Sequence, residues 1–217
     1  MSSNTKVLSV QVGQPTEVEY NGRLVTTSIF KQSVDGPVSV LKLGIDTDTQ
    51  SDLTVHGGSY KAVYAYPSEH FAWWKEKLPQ HEFSAGAFGE NLTVNGMLET
   101  ETSIGDVIRI GTVTLRVSQP RFPCFKLGIK FNDRMIVNHF HSSLRSGFYF
   151  EVVEEGTLEA GDDIHVLERS NGTSIHEFVS LYVEKSPSSE RIESILNDPH
   201  LLDEWKPYFN QRLERIN

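Results

Sequence analysis

Cysteine is nearly absent from this chain: 217 residues hold one, Cys124. No disulfide can form within the chain, and neither a thiol-built zinc site nor a cysteine-ligated iron–sulfur cluster can be assembled from it. No GxGxxG run marks a dinucleotide site. Long apolar runs are missing as well, none approaching the roughly 20 residues of a membrane helix. The opening MSSNTKVLSV carries neither the apolar centre of a secretory signal nor the Arg-rich face of a transit peptide. With the single thiol, this sets the expectation of a cytoplasmic protein in a reducing compartment. Positive charge is in deficit too. The formal net charge is −9, which argues against nucleic acid or an anionic membrane as partner. Acid has a local gap of its own: residues 107–132 contain no Asp or Glu, yet carry Arg109, Arg116, Arg121, Lys126 and Lys130. Clearing acid from around the only thiol points to a local anion site; strands with basic outer faces would leave the same trace.

What is present reads as mainly β with added α. Hydrophobic content of 38% and charged content of 23% are those of an ordinary globular chain, long enough for one sizeable core. Short strand-forming runs recur at 7–12, 60–66, 91–94, 107–110, 114–117, 148–153 and 163–167. TEVEY-NG-RLVTTSIF (16–30) predicts a hairpin, because Asn21-Gly22 supplies the two positive-φ residues of a type I′ turn. IGDVIRI (104–110) and AGDDIHVL (160–167) each set a Gly-Asp turn before a strand, as the corners of a closed sheet do, so the expected architecture is a β-barrel. One helix interrupts it at 66–78, with Pro67 near its start and Phe71, Trp74 and Leu78 on one face. The adjacent Trp pair reads as core packing.

After Glu168 the pattern changes. RSNGT (169–173) is a polar linker, and Ser174 with Glu177 fits a capping box ahead of Phe178, Val179 and Tyr182 at helical spacing. Ser186-Pro187 and Asp198-Pro199 open two more helices, the last broken or kinked at Pro207. The chain thus divides into a β-barrel domain (1–168) and a three-helix C-terminal domain (174–217). The second is too small to stand alone and should dock on the barrel.

Several groups offer chemistry. Pro120 and Pro123 stiffen a loop that presents Cys124 between Arg121 and Lys126, cations that would favour the thiolate if they face it. Such a thiolate is a nucleophile or a metal ligand, and a nucleophile wants a His base, for which His56, His70, His139 and His141 exist. A buried, inert thiol is the plain alternative. His56-Gly57-Gly58 allows close backbone approach to an anion, or is simply a turn. Phe88-Gly89-Glu90-Asn91-Leu92 sets a Glu and an Asn where a loop enters a strand; the plain reading is a solvated Glu and an Asx-type cap. Arg145 adds a cation beside a Gly-led strand. His139 and His141, two apart, would share one strand face, but no third zinc ligand lies near in sequence.

In combination, VHGG (55–58), KAVYAYPSEHFAWW (61–74), GAFGENLTVNG (86–96), IGD (104–106), SQPRFPCFKL (118–127), GFYF (147–150) and EAGD (159–162) occur in the order seen in MOSC-domain proteins. The chain most resembles the YiiM-like branch, which adds a three-helix C-terminal domain, here matched by 174–217. The resemblance implies a MOSC-type β-barrel that holds the molybdenum cofactor (Mo-pterin), with Cys124 as metal ligand and catalytic centre. It further implies reduction of N-hydroxylated small molecules such as 6-hydroxylaminopurine, with electrons from an external reductase, and leaves a homodimer open. Arg121, Lys126, Lys61 and Arg145 are then the candidates for the cofactor's phosphate or pterin, and His56, Gly57, Gly58 and Asn91 for the pocket wall. Two positions depart from the family pattern: Ser59-Tyr60 stands where an Asp precedes the Lys, and Glu151 where an Arg is frequent. Two other readings stay open: a cofactor carrier without turnover, and a hydrolase or transferase that uses Cys124 with a His base.

Overall fold

Asn21 and Gly22 take φ of +52° and +73°, the left-handed pair that a type I′ hairpin demands. The strands they join are the second and third of thirteen across the residues described by this computed structural model, 5–49 and 58–216. In order these are β1 (Lys6–Gly13), β2 (Thr16–Tyr20), β3 (Arg23–Thr27), β4 (Lys31–Val34), β5 (Val38–Leu41), β6 (Gly44–Ile45) and β7 (Val63–Pro67). Helix α1 (His70–Lys77) follows, then β8 (Leu92–Asn95), β9 (Val107–Ile110), β10 (Val113–Pro120), α2 (Phe125–Phe131) and α3 (Ile136–Ser143). The chain continues with β11 (Phe148–Glu154), β12 (Gly156–Leu158), β13 (Ile164–Glu168), α4 (Ile175–Val183), α5 (Ser189–Leu196) and α6 (Lys206–Glu214).

Eight strands form one sheet in the order β13-β9-β10-β11-β7-β8-β1-β4, antiparallel except for the parallel pair β7 and β8. Bulges in the β1–β8, β10–β11 and β13–β9 pairings bend it. It curls until β1 reaches the entrance of β13, where Lys6 bridges Asp163 and Ile164 N donates to Thr5 O at 2.8 Å. Val7 N also donates to Asp162 O at 3.0 Å. Among the described residues no strand ladder crosses that seam, so the expected barrel is a curled sheet with one stitched edge rather than a fully closed cylinder. β12, β5 and β6 make a small second sheet, and β2–β3 is a ribbon of its own.

The apolar faces of the large sheet (Val10, Val63, Leu92, Ile108, Leu115, Phe150) run without a break into Ile175, Phe178, Leu181, Ile192, Ile195 and Phe209 of the C-terminal helices. A second cluster is largely aromatic: Tyr66, Trp74, Phe83, Phe88 and Phe140 pack with Leu127 and Ile136 beneath α1, α2 and α3. Trp74 is fully buried there and donates through Nε1 to Tyr66 Oη at 2.6 Å, so this half of the Trp pair is core.

Several local expectations are corrected. Three helices, not one, interrupt the strands among the described residues: Leu127 of α2 and Ile136 and Phe140 of α3, the last two four apart on one helix face, are buried in the aromatic cluster. His139 and His141 therefore sit on α3, where a spacing of two points side chains apart. Among the described residues no group of three His, Cys, Asp or Glu could hold a metal ion. The interrupting helix starts at His70, since Pro67 ends β7. Ser174 caps α4 as expected, accepting from Glu177 N at 3.1 Å, and Ser188 caps α5. Residues 198–202 are a turn. α6 begins at Lys206 with Pro207 in its first turn, where the missing N–H has no partner to lose, so the proline starts a helix instead of breaking one. Among the described residues no helix is long and apolar enough to cross a membrane.

Candidate functional site

A bulge in β10 between Val117 and Gln119 shifts its register against β11. Ser118 Oγ donates to Tyr60 O at 2.5 Å, with Tyr149 O at 3.0 Å. Past the bulge the chain divides its side chains: Gln119 and Phe122 contact the C-terminal helices, whereas Arg121 and Cys124 line a cleft of about 110 Å³. Bulges beside functional sites re-aim side chains in this way. Cys124 is half-buried at the N-cap of α2.

Arg121 is buried, 7% exposed. Its guanidinium lies 5.0 Å from the Tyr64 ring centre and 5.4 Å from that of Phe140, and Nη1 has no hydrogen-bond partner. Burial pushes the Tyr149 phenol up, against the pull of the neighbouring Arg121. Across the cleft Lys31 Nζ meets Asp48 Oδ1 at 2.5 Å. Asp48 also accepts from Gly13 N at 2.6 Å and Asn91 Nδ2 at 2.8 Å. Burial lowers the Lys31 ammonium, and Asp48 offsets part of that.

Glu90 is the surprise behind the wall. It is fully buried, not solvated, and its carboxylate accepts from Gly86 N (2.7 Å), Phe88 N (2.9 Å) and Thr93 Oγ1 (3.1 Å). Burial raises its pKa. Lys130 donates to Ile29 O at 3.0 Å and to Gly86 O, and burial lowers it to about 8.

Of the residues singled out in the sequence, Cys124, Arg121, Lys126, Lys61 and Asn91 line this cleft together. The Asn91 side chain is fully engaged with Tyr64 N, Gln11 O and Asp48, so it is wall rather than ligand. Arg145 does not line the cleft. Leu144, at φ +58°, ends α3 and turns the chain, and the Arg145 guanidinium sits 4.0 Å over the Trp73 ring with Nη1 donating to Ser143 O. Gly58, at φ +104°, precedes the short turn Ser59–Lys61 and does not line the cleft. His56 and Gly57 lie outside the described residues. Arg116 faces away and pairs with Glu151 Oε1 at 2.5 Å across β10–β11, which places the Glu151 departure outside the cleft. Sequence reasoning missed Lys31, Asp48, Tyr64 and Tyr149 as lining residues; only chain topology gathers them, and no local motif marks them.

The described lining holds four cations, Lys31, Lys61, Arg121 and Lys126, against one carboxylate, Asp48. This is an anion-favouring cleft in an acidic chain. No His among the described residues lines it, so the His base of a cysteine hydrolase has no described candidate at the thiol.

Comparison with known proteins agrees with this geometry. A MOSC domain profile matches residues 52–165. The chain is 37% identical to "Uncharacterized protein YflK" of Bacillus subtilis (strain 168), over 97% of this chain and 95% of that one. It is 34% identical to a protein named "Reductase" from Gibberella moniliformis, over 75% of this chain and 29% of that longer one. The crystal structure of YiiM from Geobacillus stearothermophilus matches with a TM-score of 0.80 at 36% identity, covering 96% of this chain and 99% of that one. With its thiol loop, basic cleft and C-terminal helices, this chain belongs to the MOSC-domain family, in the YiiM-like branch.

Proposed function

We propose that this chain is a molybdenum-cofactor-dependent oxidoreductase that reduces N-hydroxylated bases of the 6-hydroxylaminopurine type to amines, with electrons from a separate reductase. One observation carries the reading: the buried Arg121 guanidinium, with Nη1 unpartnered, lines the same cleft as the only thiol. A buried charged donor left unpaired costs about 1–3 kcal/mol or more, and an anionic ligand would recover it. The residues present fit the group. Cys124 Sγ would hold the metal, and Arg121, Lys61 and Lys126 would hold the phosphate and pterin. When bound, the molybdenum centre supplies two-electron oxygen-atom chemistry that no side chain offers.

The chain's own residues bind, orient and handle protons. The reaction R–NHOH + 2e⁻ + 2H⁺ → R–NH₂ + H₂O breaks one N–O bond and needs a proton at the departing oxygen. Lys31 Nζ, lowered by burial and oriented by Asp48, holds such a proton at the cleft wall. Tyr64 and Tyr149, both raised by burial, stay neutral beside Arg121. The family match supports the cofactor, and the fungal relative's name supports a redox class.

Expression in a host that makes the cofactor tests the proposal. The purified chain should carry molybdenum and reduce 6-hydroxylaminopurine with an artificial donor, and Cys124→Ser should keep the fold and lose turnover. Reduction retained by Cys124→Ser with molybdenum bound would overturn the ligand assignment. Cofactor bound without turnover under any donor would favour a carrier, and thiol-dependent activity without molybdenum would favour a hydrolase or transferase.

A further inference from the structure

The C-terminal helices line none of the cleft that holds Cys124, among the described residues. They grip the loop from behind. The Phe122 ring, between Arg121 and Cys124 in sequence, lies 4.2 Å from the Tyr182 ring centre and 5.1 Å from that of Trp205. Phe178 is 6.3 Å away, and His141 of α3 stacks on the same ring at 6.1 Å. Trp205 Nε1 donates to Gln119 Oε1 at 2.9 Å, two residues before Arg121. One side chain at the end of β10 and one of the loop after it are thus fixed to the C-terminal segment, whereas Arg121 and Cys124 are aimed at the cleft. The loop's backbone donors hold it weakly: Arg121 N reaches Gly147 O at 3.4 Å, a long bond, and Pro123 has no N–H to give.

We infer that Phe122 is a positioning residue, and that α4 and the segment ahead of α6 set where Cys124 and Arg121 sit by clasping its ring. The inference rests on Cys124 being the reacting group of the cleft. It assigns the helices a part in the site itself: aromatic contacts of this kind hold a ring in one place through shape and burial, and a ring fixed on one side of a four-residue loop (121–124) fixes the residues beside it. Small errors in such a placement are costly to function.

The single cysteine gives an unambiguous test that needs neither molybdenum nor substrate. Native-state alkylation of Cys124 by iodoacetamide is measured in metal-free protein, well below the melting temperature, for wild type, Phe122→Ala, Phe122→Leu and Trp205→Phe. Ile192→Ala serves as a control, since it removes a buried residue of the same helical unit from the continuous core. Its loss of melting temperature is compared with theirs. Release of the half-buried thiol should raise the rate at least threefold in Phe122→Ala and Trp205→Phe, with Phe122→Leu between them and wild type and the control unchanged. Should Phe122→Ala fail to fold, the other two variants decide. Rates within threefold of wild type in the folded variants among Phe122→Ala and Trp205→Phe, or an equal rise in Ile192→Ala, would overturn the inference. Failure to bind molybdenum would count against the proposed function alone, because the alkylation readout is independent of it.

Discussion

Asn91 Nδ2 donates to Asp48 Oδ2 at 2.8 Å, and the same carboxylate holds the Lys31 ammonium at 2.5 Å. One side chain thereby ties the end of β1, through Gly13 N, to β4 and to the loop entering β8. Both members of the ion pair are under a tenth exposed. Asp48→Asn should leave Lys31 charged, buried and uncompensated, at a loss of about 3–5 kcal/mol. Urea unfolding measures this. Adding Lys31→Met should recover much of the loss; a double variant as weak as the single one would place the cost in the bonds to Gly13 and Asn91 instead.

Lys130 gives a pH signature. Its folded pKa of about 8 lies below its ordinary 10.5, chiefly through burial. Between those values the unfolded chain keeps a proton that the folded chain has released, so stability rises with pH across that window. The penalty for burying the charge is present in full below about pH 8. Against Lys130→Met, wild type should therefore gain up to about 1.4 kcal/mol per pH unit from pH 8 to 10. Denaturant titrations of both proteins at several pH values test this, and a constant difference would mean that Lys130 titrates normally.

Gly147 sits at φ +59° where β11 meets β7, and a Cβ there would lie 2.4 Å from the Ala65 carbonyl oxygen. That oxygen belongs to a strand and cannot swing aside. Gly147→Ala should cost at least about 2 kcal/mol, read as a fall of roughly 4–8 °C in melting temperature. Unchanged melting would show that the two strands can part there without penalty.

Truncation after Glu168 should lower the melting temperature or abolish solubility, because Phe178, Leu181, Ile192, Ile195 and Phe209 belong to the same buried cluster as the sheet. Thermal unfolding of the truncated and full chains side by side is the measurement. Equal melting would make the helices an independent appendage.

The strands at 107–110, 114–117 and 148–153 and the Asn21-Gly22 hairpin are legible because alternation and turn chemistry are local signals. Cys124, Arg121 and Lys126 are legible for the same reason: they share a ten-residue stretch. α2 and α3 are not, since FKLGIKF offers as many strand formers as helix formers and only the aromatic cluster beneath decides. Lys31 and Asp48 flank the site from segments far from Cys124 in sequence, and nothing near either residue announces the partner. Glu90 looks solvated until the two backbone donors of its own turn are seen to close around it.

The stitched seam has a consequence for biosynthesis. β1 pairs with β8 along one side; on the other its later half pairs with β4, and its first residues meet Asp163 at the mouth of β13. At about 5–20 residues per second, a ribosome delivers the seam's second half roughly 8–30 s after the first. Throughout that interval Val7, fully buried in the finished fold, lacks the partners Gly161 and Asp162 on its seam edge. Pairings this distant also fold slowly, since the loop must close before any contact rewards it. The nascent chain is thus most prone to aggregate while it is being made, and its yield in a cell should track the supply of chaperones that shield strand edges more closely than it tracks the stability of the mature protein.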